Sequence, residues 1–341
     1  MSHAHDFPVS YKTASKQTGT IIDASNSRGQ ASYSKPAIRL VKRRELVGHF
    51  GKVYAAHWAG DSIHLVSAAQ DGKMIVWNAM NTYKVQNIHL KSHWVMTCAF
   101  EQSRNVTVAS GGLDNTCTVF PVGENAGGRG GSGKELLGHE GYISCCRFST
   151  EKNILTSSGD STARYWDTEK GKQIQSFTGH SADVMCLSQD PTNQSIFVTS
   201  SCDTTAKVWD LRNGDKCVQN FVGHLSDVNS VSYFPDGNAV VTGSDDTTCR
   251  IFDLRCSGEV NSLASDKVVC GVTSVDFSKS GHYVFGGYED GMCRVWDVLK
   301  GRTGPIMTLS GHESRVMHVC VNPRGDAVST ASWDSNVRIW A

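Results

Sequence analysis

From about residue 39 to the C-terminus, short apolar and β-branched runs alternate with turns rich in Gly, Asp, Asn and Ser. Ala239-Val240-Val241-Thr242 and Cys249-Arg250-Ile251-Phe252 are typical. Such runs predict short strands, and no stretch carries the period of an amphipathic helix. The pattern itself repeats. Large aromatics close seven segments, at Trp77, Phe120, Trp166, Trp209, Phe252, Trp296 and Trp340, spaced 43 to 46 residues apart. An Asp stands six positions before each: Asp71, Asp114, Asp160, Asp203, Asp246, Asp290 and Asp334. Gly-His opens five of the segments, at His49, His139, His180, His224 and His312. Four short strands per repeat make one small sheet with two faces to bury. Only neighbouring sheets can cover them, so the repeats must stack.

These landmarks resemble the WD-repeat family, named for its Gly-His opening and Trp-Asp close. Trp166-Asp167, Trp209-Asp210 and Trp296-Asp297 match the close; Trp77-Asn78, Phe120-Pro121, Phe252-Asp253 and Trp340-Ala341 depart from it. Seven copies imply an all-β fold, a seven-bladed WD-repeat β-propeller over residues 39–341. The chain stops after Trp340, leaving the last blade without its outer strand. Residues of about 38–47 are expected to supply that strand and close the ring. Residues 1–38 are different in kind. They hold no Leu, ten Ser or Thr, and Pro8, Gly19, Gly29 and Pro36, which together predict a disordered arm.

The 33 basic and 33 acidic residues cancel, but not evenly. Residues 1–44 carry eight Lys or Arg against Asp6 and Asp23, so a basic arm precedes a mildly acidic body. No apolar run approaches the roughly 18 to 20 residues of a membrane span, and the N-terminus shows no apolar signal-peptide core. The expectation is a soluble intracellular chain. Twelve cysteines without a CxxC pair or zinc spacing read as small buried hydrophobes in a reducing compartment. His3 and His5 on the exposed arm are not read as a metal site.

Two patterns imitate active sites. His139, Ser158, Asp160 and Trp166 form a hydrolase-like set, but it recurs as His180, Ser201, Asp203, Trp209 and as His312, Ser332, Asp334, Trp340. A nucleophile needs one constellation beside one pocket. Repetition instead predicts a structural network in each blade, running from His to Ser or Asp and on to the Trp N–H. Gly128–Glu135 has phosphate-loop spacing, but Glu135 replaces the magnesium-binding hydroxyl and a blade follows, not a helix. Six glycines in 123–133 predict a flexible inter-blade connection, and Arg129-Gly130-Gly131 is too little for RNA binding. No catalytic residue, cofactor, metal or nucleic-acid partner is expected.

Repeat phase also locates a binding surface. Val53, Val95, Ile143, Val184, Val228 and Val316 share one phase and face the core. Strand alternation then turns their flanking residues toward one mouth of the ring: Lys52 and Tyr54, Trp94 and Met96, Tyr142 and Ser144, Asp183 and Met185, Asp227 and Asn229, Arg315 and Met317. Leu113, Asp245 and Trp333, each just before a repeat Asp, belong on the same rim. Aromatics, Met and a few fixed charges are the composition of an interface centre.

At these positions the likeness narrows. Ser92–Cys98 (SHWVMTC), Gly111–Asn115 (GGLDN), Gly141–Phe148 (GYISCCRF), Gly243–Arg250 (GSDDTTCR), Cys270–Val275 (CGVTSV), Phe277–Gly281 (FSKSG) and Ser332–Ser335 (SWDS) resemble the β subunits of heterotrimeric G proteins. The resemblance runs from about Arg43 to Ala341. It implies a mouth that binds the GDP-bound α subunit, with effectors using the same surface after α departs and receptors acting upstream. It assigns that contact to Lys52, Tyr54, Lys73, Ile75, Lys84, Trp94, Met96, Leu113, Asn115, Tyr142, Asp183, Met185, Cys202, Asp227, Asn229, Asp245 and Trp333. The family's Leu-rich N-terminal helix, which coils around a γ subunit, has no counterpart in residues 1–38. A γ-like partner is therefore expected to dock without the usual coiled coil, or to be absent. The basic arm leaves membrane association peripheral at most, at the cytoplasmic face of the plasma membrane. A general WD-repeat scaffold, of the ribosome-associated kinase-anchor or ubiquitin-ligase adaptor kind, is the alternative. The acidic body argues against a ribosomal one.

Overall fold

The computed structural model describes residues 38–123 and 133–341. The arm and most of the Gly-rich connection read from the sequence lie outside the described residues. Among these, 28 strands, β1 (Lys42–Val47) to β28 (Asn336–Trp340), form seven antiparallel four-stranded sheets, the blades of a β-propeller. Each blade is a meander built from one repeat. The exception is the last, in which β1 pairs with β28 from Lys42↔Trp340 to Val47↔Asn336. Both ends of the ring thus meet in one sheet. Arg338 donates to Glu45 at 2.7 and 2.8 Å across that seam, and Val41 and Ala341 exchange backbone bonds at 3.1 Å.

The first strand of each blade lies innermost, against the first strands of its neighbours. Apolar layers fill the spaces between sheets. Leu46, Val53, Trp58, Trp77 and Val337 pack together between the last blade and the first. Phe177 meets Phe197 edge-on at 4.9 Å between blades 3 and 4. Every junction also carries a polar bridge. The Phe100 N–H donates to His57 Nδ1 (3.1 Å), Cys146 N–H to Thr97 Oγ1 (3.3 Å) and Tyr233 N–H to Ser188 Oγ (3.2 Å). Val275 N–H and Val319 N–H donate to Ser230 and Ser274, both at 3.1 Å. Ser144 donates to the Val184 carbonyl, and the Trp58 indole to the Cys320 carbonyl at 3.1 Å. Backbone N–H groups at five junctions and carbonyls at the other two are thereby bonded across the blades around the whole circle.

The repeat Asp works locally. Its carboxylate accepts the N–H two residues on, as in Thr162 N→Asp160 (3.0 Å) and Thr248 N→Asp246 (3.0 Å). The residue between adopts a left-handed conformation in all seven turns: Gly72, Asn115, Ser161, Thr204, Thr247, Gly291 and Ser335, with φ from 61 to 81°. An Asx-type turn holds this conformation even for β-branched Thr204 and Thr247, which disfavour it.

The buried network differs from the sequence expectation at one member. In blade 3, His139 Nδ1 lies 2.7 Å from Asp160, but its Nε2 meets Thr156 Oγ1 at 2.8 Å, and Trp166 donates to that same oxygen at 2.8 Å. Ser158 is not the relay. It donates to the Gly141 carbonyl (2.9 Å) and accepts the Asp160 N–H (3.1 Å), bracing the turn. Blades 4 and 7 repeat the correction. Thr199 joins His180 to Trp209 and Thr330 joins His312 to Trp340, while Ser201 and Ser332 bond backbone carbonyls. Ser67 and Thr242 hold the same place in blades 1 and 5. One direction satisfies every group: indole N–H to hydroxyl, hydroxyl to His Nε2, and Nδ1–H to the carboxylate.

Blades 2 and 6 depart from this plan. In blade 6 the hydroxyl comes from Tyr288, which accepts the Trp296 indole at 3.0 Å. Gly286 stands where the relay threonine would be, and a Cβ there would meet the Tyr288 ring at 3.0 Å. Blade 2 has Lys91 and Phe120 in place of His and Trp, and Lys91 pairs with Glu135 beside a cavity of about 190 Å³. All twelve cysteines are free, and only Cys217 and Cys256 are exposed.

Burial holds His139 and His180 below the ordinary imidazole range, against the opposing pull of their Asp partners. Burial also acts to raise the Asp160 and Asp246 carboxyls. Hydrogen bonds from His139 and Thr162, and from His224 and Thr248, outweigh it and hold them low. Thr156→Val keeps the shape but strips both Trp166 and His139 of a partner, and should cost about 1–3 kcal/mol in a denaturant titration. Stability should fall with acidification. The unfolded chain takes up protons below about pH 6.5 that the buried histidines refuse, and the carboxylate contribution, complete above about pH 4, is lost as pH drops toward the depressed folded values. A denaturation midpoint that stays flat from pH 7 to 3 would contradict this.

Candidate partner-binding mouth

Register brings the rim residues together in pairs. The residue before each repeat Asp donates its N–H to the carbonyl of the residue preceding the inner strand: Gln70→Lys52, Leu113→Trp94, Gly159→Tyr142, Cys202→Asp183, Asp245→Asp227, Glu289→Gly271 and Trp333→Arg315, at 2.9 to 3.4 Å. Seven such pairs ring one end of the propeller. The next residues along the inner strands, Tyr54, Met96, Ser144, Met185, Asn229 and Met317, are partly exposed, whereas Val53, Val95, Ile143, Val184, Val228 and Val316 between them are buried.

The ring is chemically polarised. Over blades 7 and 1, Trp333 takes the Lys52 ammonium on its face at 4.1 Å, the Arg315 guanidinium at 5.0 Å, and Tyr54 edge-on at 6.0 Å. Arg315 also pairs with Glu289 at 3.0 Å. Blade 2 offers an apolar step, with Trp94 45% and Leu113 48% exposed. Asn115 in the following turn donates to the Glu140 carbonyl at 3.2 Å. Over blade 3, Tyr142 donates its hydroxyl to Asp183 at 2.9 Å and lies 3.5 Å from Met185 Sδ. Gly159 makes room for that ring, since a Cβ there would sit 2.4 Å from Tyr142 Cε1. Asp183, Asp227 and Asp245 make the far side acidic, with Asn229 spanning Asp245 (2.5 Å) and the Val272 carbonyl (2.9 Å).

The crowded carboxylates leave their mark on ionisation. Burial raises the Tyr142 phenol, and the bond to Asp183 adds to it. The Cys202 thiol is pushed up to about 12 by burial and by its hydrogen bond with Asp227. Burial raises the Asp245 carboxyl too; the charges of Glu289 and Asp227 add to the shift while the Asn229 bond opposes it. Cys202 is thus an uncharged rim thiol and Tyr142 a hydroxyl donor.

Two expectations shift. Ile75 is fully buried, in a middle strand covered on both faces, so it offers no contact surface. Lys73 opens the same strand as Ile75 and Lys84 lies on the outer edge strand paired with it, and the two form a flank group rather than part of the mouth. Lys73 reaches over the Phe50 ring at 5.3 Å and Lys84 over Trp77 at 5.5 Å. Glu289 and Phe50 stand beside the expected residues without having been selected by repeat phase. Glu289 obeys the phase rule that selected Trp333, in a repeat without a Gly-His to set the phase. Phe50 is 86% exposed directly after His49, where the repeat pattern specifies nothing.

A family model described as "G protein beta WD-40 repeat protein" matches residues 18–341. The chain is 40% identical over 335 residues to a guanine nucleotide-binding protein subunit beta of Oryza sativa subsp. japonica, covering 93% of this chain and 87% of that protein. It is 47% identical over 301 residues to subunit beta-5b of Danio rerio, covering 88% and 75%. To the Arabidopsis thaliana subunit beta it is 40% identical over 342 residues, covering 93% and 88%. Repeat count, register and these likenesses agree: the chain belongs to the G protein beta family of WD-40 repeat proteins.

Proposed function

We propose that this chain is the β subunit of a heterotrimeric G protein. Its mouth holds the GDP-bound α subunit and, once α departs, engages effectors, so that a receptor signal passes through it. The observation that supports this reading is the mouth itself. A half-exposed apolar step at Trp94 and Leu113 lies between a cation–aromatic cluster on Trp333 and an acidic arc at Asp183, Asp227 and Asp245. That is a pre-arranged interface with a hot-spot candidate at Trp94. The contact set is Lys52, Tyr54, Trp94, Met96, Leu113, Asn115, Tyr142, Asp183, Met185, Cys202, Asp227, Asn229, Asp245 and Trp333, with Lys73 and Lys84 extending it down the flank of blade 1. The chain performs no chemistry: its His–Asp–hydroxyl sets are buried one per blade in blades 1, 3, 4, 5 and 7 and serve their own sheets.

A γ-like partner, where present, docks without an N-terminal coiled coil, since residues 1–38 contain no Leu. Membrane contact then falls in part to the basic arm, at about 1 kcal/mol per basic residue close to an anionic surface. On this reading the chain works at the cytoplasmic face of the plasma membrane.

Co-purification with an α subunit in GDP against GTP-analogue buffer tests the assignment. Retention only with GDP is expected; indifference to nucleotide would favour a general scaffold. Trp94→Ala should weaken the complex by about 2 kcal/mol or more, roughly thirtyfold in Kd. Capture of a helical γ subunit by the isolated segment 1–38 would overturn the coiled-coil statement, which expects none.

A further inference from the structure

At the end of the ring opposite the mouth, the C-terminal halves of the inner strands wall a cavity of about 530 Å³. Arg147 of blade 3 crosses it. One guanidinium nitrogen donates to the Cys146 carbonyl at 2.7 Å and the Cys98 carbonyl at 3.4 Å. The other reaches His318 Nε2 of blade 7 at 3.2 Å. Well-sheltered arginines elsewhere have carboxylates: Arg164 has Asp160, Arg250 has Glu259, Arg294 has Asp290 and Arg338 has Glu45. Among the described residues no carboxylate lies within ion-pair distance of Arg147. A permanent charge so enclosed and left without a counter-charge is costly.

The acids on the same walls are already committed. Glu101 accepts from Ser103, Arg104 and Asn105 in its own turn, and Asp190 from Thr192 and Asn193. Asp276 accepts from Ser232 (2.8 Å), the Phe277 N–H (2.9 Å) and the Val321 N–H (2.7 Å).

The donors, by contrast, are not spent. His57 Nδ1 accepts from Phe100, so its proton is on Nε2. His318 Nε2 accepts from Arg147, so its proton is on Nδ1, which is buried without a partner, as is the Tyr233 hydroxyl. Burial and the Arg147 charge hold both imidazoles low, His318 at about 3, so they act as neutral N–H donors. Arg147 without a paired carboxylate, Lys279 on the same wall and the Nε2–H of His57 complement a ligand that only accepts.

We propose that this channel cavity is a binding site for a small oxyanion of the phosphate type, anchored by Arg147 with His57 as a second donor, and with room for an organic group attached to the anion. The site lies at the far ends of the inner strands from Trp94 and Trp333, so it is separate from the partner surface and does not depend on the function proposed for it. Inorganic phosphate is the probe, added to the full-length chain at constant ionic strength against chloride. The thermal midpoint should rise with phosphate concentration, and phosphate should protect Arg147 from phenylglyoxal, read by peptide mass. Arg147→Met should weaken the response about tenfold or more, and Arg147→Lys by less. Because protection is read on the unaltered chain, the proposal stays testable even where a variant fails to fold. No midpoint shift, an equal shift in Arg147→Met, or an Arg147 that phosphate does not protect, whether because it reacts regardless or never reacts, would each overturn it.

Discussion

The structure depends on one constraint: a four-stranded blade has two apolar faces and cannot bury either alone. Seven blades solve this by closing on themselves, so that every face meets a neighbouring sheet. Closure makes the seam decisive. The last sheet is assembled from β28 and β1, so these two distant segments must meet before the last blade is complete. The junctions are more than apolar contacts. At each one a polar side chain, an indole or a hydroxyl, bonds a backbone group of the adjoining inner strand, from Phe100 on His57 around to Trp58 on Cys320. A small rotation of one blade would break a bond on both sides, so the ring behaves as one cooperative unit.

Much of this was legible because the same local problem is solved seven times. The Asp that holds a left-handed turn and the aromatic that seals a sheet recur in phase, and phase alone fixed the blade count and the core-facing valines. What phase could not decide was which of two hydroxyls does the relay. Thr156 and Ser158 are two residues apart on one strand and point the same way, so strand alternation treats them alike. Only the reach of the Trp166 indole and the His139 ring separates them, and that is a tertiary distance. Blade 6 makes the point in reverse. With Gly286 at the first place and Tyr288 at the second, the longer side chain reaches back to the position the threonine vacates.

The geometry of the rim was legible for the same reason, and expectation and structure part where the reason fails. Alternation separates buried from exposed on an inner strand, which has the core on one side and the ring opening on the other. It says nothing about a middle strand pressed between two blades, and Ile75 sits on one. Glu289 was passed over in one of the two repeats that lack Gly-His. Arg147 carried no signal at all, because its partner His318 lies 171 residues away and no period connects them.

On the function proposed for the mouth, the two kinds of position also divide the labour between stability and recognition. Network residues are enclosed and repeat nearly unchanged in five blades; rim residues occupy equivalent backbone sites yet vary in charge and size around the ring, from Lys52 to Trp94 to Asp227. Because the scaffold already fixes where each rim side chain begins, a partner that docks there orders few additional torsions, and the association entropy it must overcome is correspondingly smaller. A rigid, polarised ring can accept only partners whose charges fall in matching order around it, with acidic groups toward Lys52 and Arg315 and basic groups toward Asp183 and Asp227. Discrimination between two conformations of one partner then requires only that one of them moves a charged or apolar group out of that order. The cost is set by the pairs left unmatched, and needs no movement of the propeller itself.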